Sequence, residues 1–414
     1  VEVASIAYFD FDGMVDVRVI SNKERVNSAR VRPLSYKITP DCVGDTVTFS
    51  LSRPRNLSVE VNGDIFHNLH LFANPIDKFR PSDKEIQRAL KKKKGSNLIY
   101  FGPGVHNLPN DTLFVPSGTT VYIDGGARVY GNIFTEGAHD VNIFGRGEVH
   151  PDGRGAGVWV RRSKNVRIDG IVVSQLPIGQ CDSVELTNVK SISYYGWGDG
   201  MDVFSSSNVI LDGVFCRNSD DCAAVYASTQ GFKGGSNNVL VKNATLWADV
   251  AHPINIGGHG DPNGMDTVQN VTFRNIDILD QAEKQIDYQG CLAINPGDNT
   301  LVRNITFENI RIEDFRNGQL VNFRISFNPK YCVSTGRGIQ NVLVKDVTYN
   351  GSGENLSIIA GYDENHKISG IRFVNLVVNG RKITDDMPGK PKWYKTGDMA
   401  GIFVGEHVEN ISFE

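Results

Sequence analysis

The feature that most constrains this chain is an internal repeat that begins near residue 96 and continues towards residue 414. Each copy has an asparagine followed by valine or isoleucine and then by alternating apolar residues. The copies are Val141-Asn142-Ile143, Asn165-Val166, Asn188-Val189, Asn208-Val209, Asn238-Val239, Asn270-Val271, Asn304-Ile305 and Asn341-Val342. From Asn165 onward the asparagines are separated by 23, 20, 30, 32, 34 and 37 residues, so one unit holds two or three short strands.

A single unit of this size cannot bury its own apolar face, whereas stacked units bury a continuous core. We therefore predict an all-β fold in which residues 96–414 form a right-handed parallel β-helix. The asparagines would form a ladder at the bends, where their amides hydrogen-bond from coil to coil. A leucine-rich repeat is disfavoured, because the units lack regular leucine spacing and a helical half.

The N-terminal part has a different pattern. Residues 46–51 and 57–61 alternate between apolar and polar side chains, and Asn62-Gly63 is a turn signal. This pattern predicts a small β-sandwich over residues 1–80.

A short helix is expected between these two parts, in a linker of residues 81–95. Ser82 and Glu85 have the spacing of a capping box, and an apolar stripe follows in residues 86–90. We expect the helix to cover the first coil, because an open solenoid end exposes unpaired strand edges. The lysines from Lys91 to Lys94 indicate a solvated helix end, with a binding patch as the alternative.

Composition excludes several classes of partner. Lys and Arg total 43 against 47 for Asp and Glu, a net charge of -4, which gives no reason to expect nucleic acid or an anionic membrane. No apolar stretch approaches the roughly 20 residues of a membrane span, and Val1 is not followed by a signal-peptide pattern. None of the six cysteines forms a C-x-x-C pair, so we expect mostly buried thiols and neither a zinc ribbon nor a thioredoxin-type site. We expect no metal and no cofactor.

Acidic residues recur at similar distances after successive asparagines. The distances are 11 for Asp199 from Asn188, 12 and 13 for Asp220 and Asp221 from Asn208, and 14 for His252 from Asn238. Neighbouring coils lie about 4.8 Å apart, so these side chains should form one acidic cluster. Such a cluster splits its pKa values into an acid and a base, as glycosidic bond cleavage requires. Ordinary turn chemistry is the alternative for any single aspartate.

Three segments resemble a known family in order and spacing. They are Gly198-Asp199-Gly200-Met201-Asp202-Val203, Asn218-Ser219-Asp220-Asp221-Cys222-Ala223-Ala224 and Ala251-His252-Pro253-Ile254-Asn255-Ile256-Gly257. They are similar to the Asn-Thr-Asp, Asp-Asp-Cys and Gly-His-Gly segments of the polygalacturonases, glycoside hydrolase family 28. Residues 57–64 and 69–75 look more like the N-terminal domain of glycoside hydrolase family 49, the dextranases and isopullulanases.

Both resemblances imply inverting hydrolysis of an α-linked polysaccharide by a secreted, periplasmic or cell-surface enzyme. They imply that Asp220 is the general acid, that Asp199 and Asp221 hold and activate the water, and that His252 tunes the acid. His259 lies in a literal Gly-His-Gly, but the register of the following strand favours His252.

The chain departs from the polygalacturonase pattern at residues 290–295. The family's Arg-Ile-Lys segment is replaced there by Gly-Cys-Leu-Ala-Ile-Asn, so a uronate substrate is in doubt. Arg324, one coil later, is the candidate replacement. Expected substrate contacts are Asp202, Trp197, Tyr288, Arg324 and His259, and core packing is the alternative for the aromatic residues.

Two other functions remain open from the sequence. A polysaccharide lyase would need a calcium site and a Lys or Arg base, and these coils offer no such base at the matching offset. A non-catalytic glycan-binding solenoid would bind without cleavage. The sugar, its linkage, endo or exo action, the disulfide pairing and the oligomeric state are not determined by the sequence.

Overall fold

A computed structural model describes residues 4–91, 95–151 and 153–414. The chain divides into two compact units, residues 1–80 and 81–414. Lys92 to Lys94 lie outside the described residues, so the interpretation of the lysine run stays a prediction.

The N-terminal unit is the predicted β-sandwich. Its four-stranded sheet has the order Ser5–Phe11, Asp64–Pro75, Arg55–Val61 and Ala29–Arg32, and its three-stranded sheet has the order Val15–Ile20, Thr46–Leu51 and Asp41–Val43. A short 3-10 helix spans Leu34–Tyr36. Alternate residues of Thr46–Leu51 are buried, as its sequence pattern predicts. Val47 and Phe49 share a core with Leu57, Val59 and Leu71 of the other sheet.

The helix Asp83–Leu90 has the predicted capping box. The Ser82 backbone donates to Glu85 Oε2 at 2.9 Å, and the Glu85 backbone donates to Ser82 Oγ at 3.4 Å. The helix packs against Leu98–Phe101, the strand that begins the first coil, and Ile86 is buried. This is the position expected of a cap.

The second unit is a right-handed parallel β-helix, as predicted. Its strands form three parallel faces, and each coil visits them in the same order. The first face contains Leu98–Phe101, Thr120–Ile123, His139–Gly145, Lys164–Asp169, Asp182–Thr187, Ser207–Asp212, Ser236–Lys242, Val408–Phe413 and the beginnings of Thr267–Asp280, Leu301–Ile312, Gly338–Tyr349 and Ile368–Val378.

The second and third faces complete each coil. The second face contains Glu148–His150, Val172–Val173, Lys190–Ile192, Phe215–Asn218, Thr245–Ala248, the ends of the four longest first-face strands and, antiparallel, Arg381–Ile383. The third face contains Val158–Arg161, Ile178–Gly179, Val203–Phe204, Ala223–Tyr226, Ile254–Ile256, Leu292–Ile294, Val321–Arg324, Ser357–Ala360 and Ile402–Val404. Gly104–Phe114 and Ala127–Glu136 contribute to both faces, and Gly318–Gln319 pairs with Glu354–Asn355. Short 3-10 helices span Ile286–Tyr288 and Thr396–Ala400.

Equivalent apolar residues stack along the inside of the solenoid. Val184, Val209, Val239 and Val271 pair in register from coil to coil, and each is buried. Each side chain therefore covers the equivalent side chain of the next coil, which explains why one unit cannot fold alone. None of the described helices has both the length and the hydropathy to cross a membrane.

The asparagine ladder exists, and it follows from local backbone geometry. Asn208, Asn238, Asn270, Asn304 and Asn341 all have φ between 55° and 57°, a left-handed conformation that asparagine tolerates. Their amides bond across coils; Asn238 Nδ2, for example, donates to Asn208 Oδ1 at 2.7 Å.

The predicted alignment of Asn188 with this ladder is wrong. Asp182 pairs with Ser207 and Thr187 with Asp212, so Asn188 comes one corner later than Asn208. It occupies the next corner of the coil, where Asn243, Asn275 and Asn309 form a second ladder. The residue equivalent to Asn208 in this coil is Ser183, which also has a positive φ.

Candidate active site

The four predicted polar residues lie in one corner of three consecutive coils. Asp199 follows the second-face strand of coil 182–204, Asp220 and Asp221 follow that of coil 207–226, and His252 follows that of coil 236–256. Main-chain bonds stack these corners directly, from Gly200 N to Asp221 O at 2.7 Å and from Cys222 N to His252 O at 2.8 Å.

Asp199 lies in this corner although Asn188, from which its position is counted, is not equivalent to Asn208. Its corner runs through residues 193–202, whereas the next coil turns within residues 219–222. Because this corner is longer, Asp199 is 11 residues after Asn188 even though Asn188 lies one corner later than Asn208. The buried Asn218 fixes this longer corner by donating to Ser193 Oγ at 3.0 Å and to the Asp199 carbonyl at 3.1 Å.

Close packing explains the glycines on both sides of Asp199. A Cβ on Gly200 would lie 2.3 Å from the Cys222 carbonyl oxygen, and a Cβ on Gly198 would lie 2.4 Å from Ser219 Oγ. Only glycine lets the two coils approach this closely.

The three aspartates form a tight cluster. One oxygen each of Asp199, Asp220 and Asp221 lie within 4.8 Å of one another. Asp199 and Asp220 are half-buried, and Asp221 is 5% exposed. This bound refers to one oxygen of each residue, whereas the roughly 6.5–9.5 Å of inverting glycosidases and the roughly 5–5.5 Å of retaining ones refer to whole carboxyl groups. Spacing alone therefore does not assign the stereochemistry.

Asp221 is the ionised member of the cluster. Its Oδ1 accepts the His252 backbone N–H at 3.0 Å and lies 2.7 Å from His252 Nδ1. Its Oδ2 accepts from Tyr226 Oη at 2.6 Å and from Asn255 Nδ2 at 2.8 Å. Burial opposes ionisation, but His252, Tyr226 and Asn255 outweigh it and lower the pKa of Asp221.

Asp220 and Asp199 have the opposite character. Burial, followed by the charges of Asp221 and Asp199, raises the pKa of Asp220 to about 8. Burial and the charge of Asp221 raise the pKa of Asp199 to about 7. Near neutral pH the cluster thus contains a fixed carboxylate beside a protonated carboxyl, the pair that acid-base catalysis requires.

His252 is the group whose protonated form compensates the charge of Asp221. It is 1% exposed, and burial alone would lower its pKa. The charge and hydrogen bond of Asp221, with the charges of Glu283 and Asp220, overcome burial and raise the pKa of His252. Its Nε2 has no hydrogen-bond partner among the described residues. The ring of Tyr288 lies 5.9 Å from that of His252.

The structure does not support Asp202 as a direct substrate contact. Asp202 is 4% exposed, because it directly precedes the buried strand Val203–Phe204. Burial, followed by the charges of Asp199, Asp221 and Asp220, raises the pKa of Asp202 well above its ordinary value. Burial therefore favours the neutral form of this acid.

The other predicted substrate contacts differ in their exposure and in their partners. Trp197 is 76% exposed on the corner that carries Asp199, and Tyr194 on the same corner is also exposed. His259 contacts the Tyr226 ring edge-on at 5.1 Å, and burial lowers its pKa. Arg324 forms an ion pair with Asp287.

Two other aromatic residues, Trp159 and Tyr195, are involved in packing. Trp159 lies under the Arg161 guanidinium at 4.3 Å, and the Tyr195 hydroxyl donates to the Gly155 carbonyl.

Sequence reasoning missed Tyr226 and Asn255 as partners of Asp221. A polar residue inside the apolar run Ile254-Asn255-Ile256 was an available signal. Nothing in the local sequence marks Tyr226, because its role depends on the register between two coils.

Among the residues that the structure describes, the aspartate cluster is also the group whose spacing could hold a hard cation. The hydrogen bonds argue against this use. Both oxygens of Asp221 already accept from two donors, so it has little capacity left for a metal.

By its fold and site, the chain is a parallel β-helix protein with an acidic cluster in one corner. Comparison with known sequences identifies its family. Residues 158–387 match the profile of glycosyl hydrolases family 28, and the chain belongs to this family.

Curated relatives include a polygalacturonase of Juniperus ashei, 26% identical over 63% of this chain and 54% of the relative. An exopolygalacturonase of Cochliobolus carbonum is 24% identical over 51% of this chain and 52% of the relative. The chain spans about half the length of these relatives.

Solved structures show the same fold at low identity. Dex49A from Penicillium minioluteum covers 98% of this chain and 83% of its own, with a TM-score of 0.65 and 14% identity. A family 28 exopolygalacturonase of Yersinia enterocolitica covers 88% of this chain and 85% of its own, with a TM-score of 0.56 and 13% identity.

Proposed function

We propose that this chain is a glycosidase that cleaves an α-linked polysaccharide by inverting acid-base hydrolysis. The observation that carries the proposal is the protonation of the cluster, in which Asp220 retains its proton while Asp221, a few ångströms away, is fixed as a carboxylate. Membership of family 28 supports the same chemistry.

In this mechanism Asp220 donates its proton to the glycosidic oxygen as the bond to the anomeric carbon breaks. Asp199 and Asp221 hold a water on the opposite face of the sugar, and the proton that the water loses on attack passes to this carboxylate pair. His252 stabilises Asp221 as a carboxylate and its positive charge opposes the rise in the pKa of Asp220.

Hydrogen bonding favours inversion over retention. A retaining enzyme needs a carboxylate that is free to attack the sugar, and Asp221 is nearly buried with both oxygens engaged. Asp199 has a raised pKa and is a weak nucleophile while protonated. A water activated by the pair is the better nucleophile.

We propose a neutral sugar at the cleavage point. Residues 290–294, where the family pattern places cations, are buried and uncharged, and Arg324 is already paired with Asp287. A uronate here would add a carboxylate to an acidic cluster without a dedicated cation, which costs several kcal/mol. The exposed Trp197 is suited to stack on a sugar face.

A uronate substrate is the second candidate, since the named relatives are polygalacturonases and Arg324 could exchange Asp287 for a substrate carboxylate. The test is a reducing-sugar assay on polygalacturonate and on neutral α-glucans with wild type, Arg324→Ala and the control Arg303→Ala. Arg303 is an exposed first-face residue that bonds Gln269. Polygalacturonate hydrolysis that disappears only in Arg324→Ala would refute the neutral-sugar proposal.

Ultraviolet absorbance, measured in the same reactions beside the reducing ends, separates the other two classes of protein. A lyase would leave an unsaturated end that absorbs ultraviolet light, and a non-catalytic binder would release no reducing ends. We propose that the protein acts outside the cytoplasm, as a secreted, periplasmic or cell-surface enzyme.

A further inference from the structure

Asp221 is held by two neutral donors that the mechanism above does not use. Tyr226 ends the third-face strand Ala223–Tyr226, and Asn255 is the middle residue of the strand stacked on it, Ile254–Ile256. Asn255 Nδ2 donates to both Asp221 Oδ2 at 2.8 Å and Tyr226 Oη at 3.0 Å. The three side chains therefore form a closed triangle.

The triangle has one consistent direction of hydrogen bonding. Because Asn255 donates to Tyr226 Oη, the phenolic proton is free to point at Asp221 Oδ2, 2.6 Å away. An ionised carboxylate only accepts, so both donors favour the ionised form. Rotating the Asn255 amide would turn its oxygen towards the carboxylate and lose both bonds.

The phenol of Tyr226 is held in place by packing. Its ring stacks on Phe204 at 5.9 Å and meets His259 edge-on at 5.1 Å, and the residue is 7% exposed. Tyr226 pairs in register with Phe204 of the preceding coil. The hydroxyl is thus presented to Asp221 at a fixed position.

The titratable neighbours of Asp221 are mainly acids, so neutral donors can stabilise its carboxylate without adding another acid. Asp199 and Asp202 face it from the preceding coil and Asp220 from its own corner, and all three are acids. His252, whose own neighbours include Glu283, is the positive group that lowers the pKa of Asp221.

We propose that Tyr226 and Asn255 are a positioning pair that keeps Asp221 ionised and oriented for water activation. The proposal rests on the proposed function and adds two residues to it. Neither residue takes part in bond making, so the predicted effect is on the pH at which Asp221 works.

The test is Tyr226→Phe, which keeps the stacked ring and removes the hydroxyl. The matched control is Tyr349→Phe, since Tyr349 is a buried tyrosine whose hydroxyl donates to Glu354 Oε2 at 2.6 Å away from the cluster. We expect the acidic limb of the pH profile of kcat/KM to move up by about one pH unit in Tyr226→Phe. In Tyr349→Phe it should stay in place.

A second readout does not depend on activity. The titration of Asp221 is followed by NMR of protein labelled with ¹³C at the aspartate carboxyl, with Asp221→Asn to assign the signal. Its midpoint should rise in Tyr226→Phe and in Asn255→Ala, which also serves if the tyrosine variant does not fold. Unchanged midpoints in both variants would overturn the proposal that Tyr226 and Asn255 keep Asp221 ionised. Wild-type protein inactive on every glycan would refute the proposed function instead, and the titration would still test the pair.

Discussion

At the scale of single residues, two neighbours in sequence hold protons in opposite ways. Asp221 turns inward to four donors, whereas Asp220 is half-buried beside two other acids with its oxygen near the Asp221 backbone N–H at 3.1 Å. The difference arises from which coil each side chain faces. Division of labour between acid and base is therefore a property of the corner geometry.

The first prediction concerns catalysis by Asp220. Asp220→Asn should lower kcat by about 10²- to 10⁴-fold, because the amide cannot protonate the leaving oxygen. Asp212→Asn, on the same coil at a different corner, should keep nearly full activity. Initial rates on the best substrate measure both, and wild-type rates in Asp220→Asn would assign the acid to another residue.

The second prediction concerns pH. Because the folded pKa of Asp220 is about 8 and its ordinary value is 3.8, the unfolded chain binds fewer protons than the folded chain between these values. The contribution of Asp220 to stability therefore falls as pH rises through this window. Asp220→Asn should melt a few degrees higher than wild type at pH 7, and the gain should disappear below about pH 4. Thermal melts across this range measure it; a variant less stable than wild type at pH 7 would contradict the raised pKa.

Sequence reasoning at this scale found the aspartates and His252 because short motifs carry them. It assigned Asp202 to substrate binding, since the alternation of buried and exposed side chains in a two-residue strand cannot be read without register. Tyr226 and Asn255 escaped for the same reason. Pairing between coils, rather than local sequence, decides which polar side chain meets which.

At the scale of the element, the corners of the first face are set by asparagine. Asn304 has a φ of 56°, donates to Asn270 Oδ1 at 3.1 Å and accepts from Asn341 at 3.2 Å. It thus combines a backbone conformation unfavourable for most residues with two bonds between coils.

The third prediction separates these two contributions. Asn304→Gly loses the amide but keeps an easy left-handed backbone, and should cost about 0.5–1 kcal/mol. Asn304→Ala adds the left-handed penalty, so it should cost about 1–2 kcal/mol more. Denaturant unfolding of both variants gives the comparison, and equal losses would mean that backbone strain does not matter at this corner.

The repeat predicted the solenoid but not its complete register. Asn188 has the same local sequence signal as Asn208, yet it belongs to the neighbouring ladder. The two corners have the same geometric requirement, so a positive φ and an asparagine occur at both. Only strand pairing distinguishes them.

At the scale of the whole molecule, the two units have separate apolar cores. All residues of the aspartate cluster and its donors lie in coils between residues 182 and 256, inside the second unit.

The fourth prediction is that residues 81–414 fold and cleave glycan without the N-terminal unit. The solenoid keeps its own core and its helix over the first coil. Its circular dichroism should therefore be that of a folded β protein, and its kcat should stay within about threefold of that of the full chain. A chain that folds but has lost activity would show that the β-sandwich contributes to the site.

The central claim is inverting hydrolysis by the aspartate cluster, and the anomeric configuration of the first product tests it most directly. The measurement is ¹H NMR of reducing ends during the first minutes of hydrolysis of an α-linked glycan, before mutarotation mixes the anomers. We predict that the β anomer forms first and that Asp220→Asn forms neither. Initial release of the α anomer, which would mean a covalent intermediate, would contradict it.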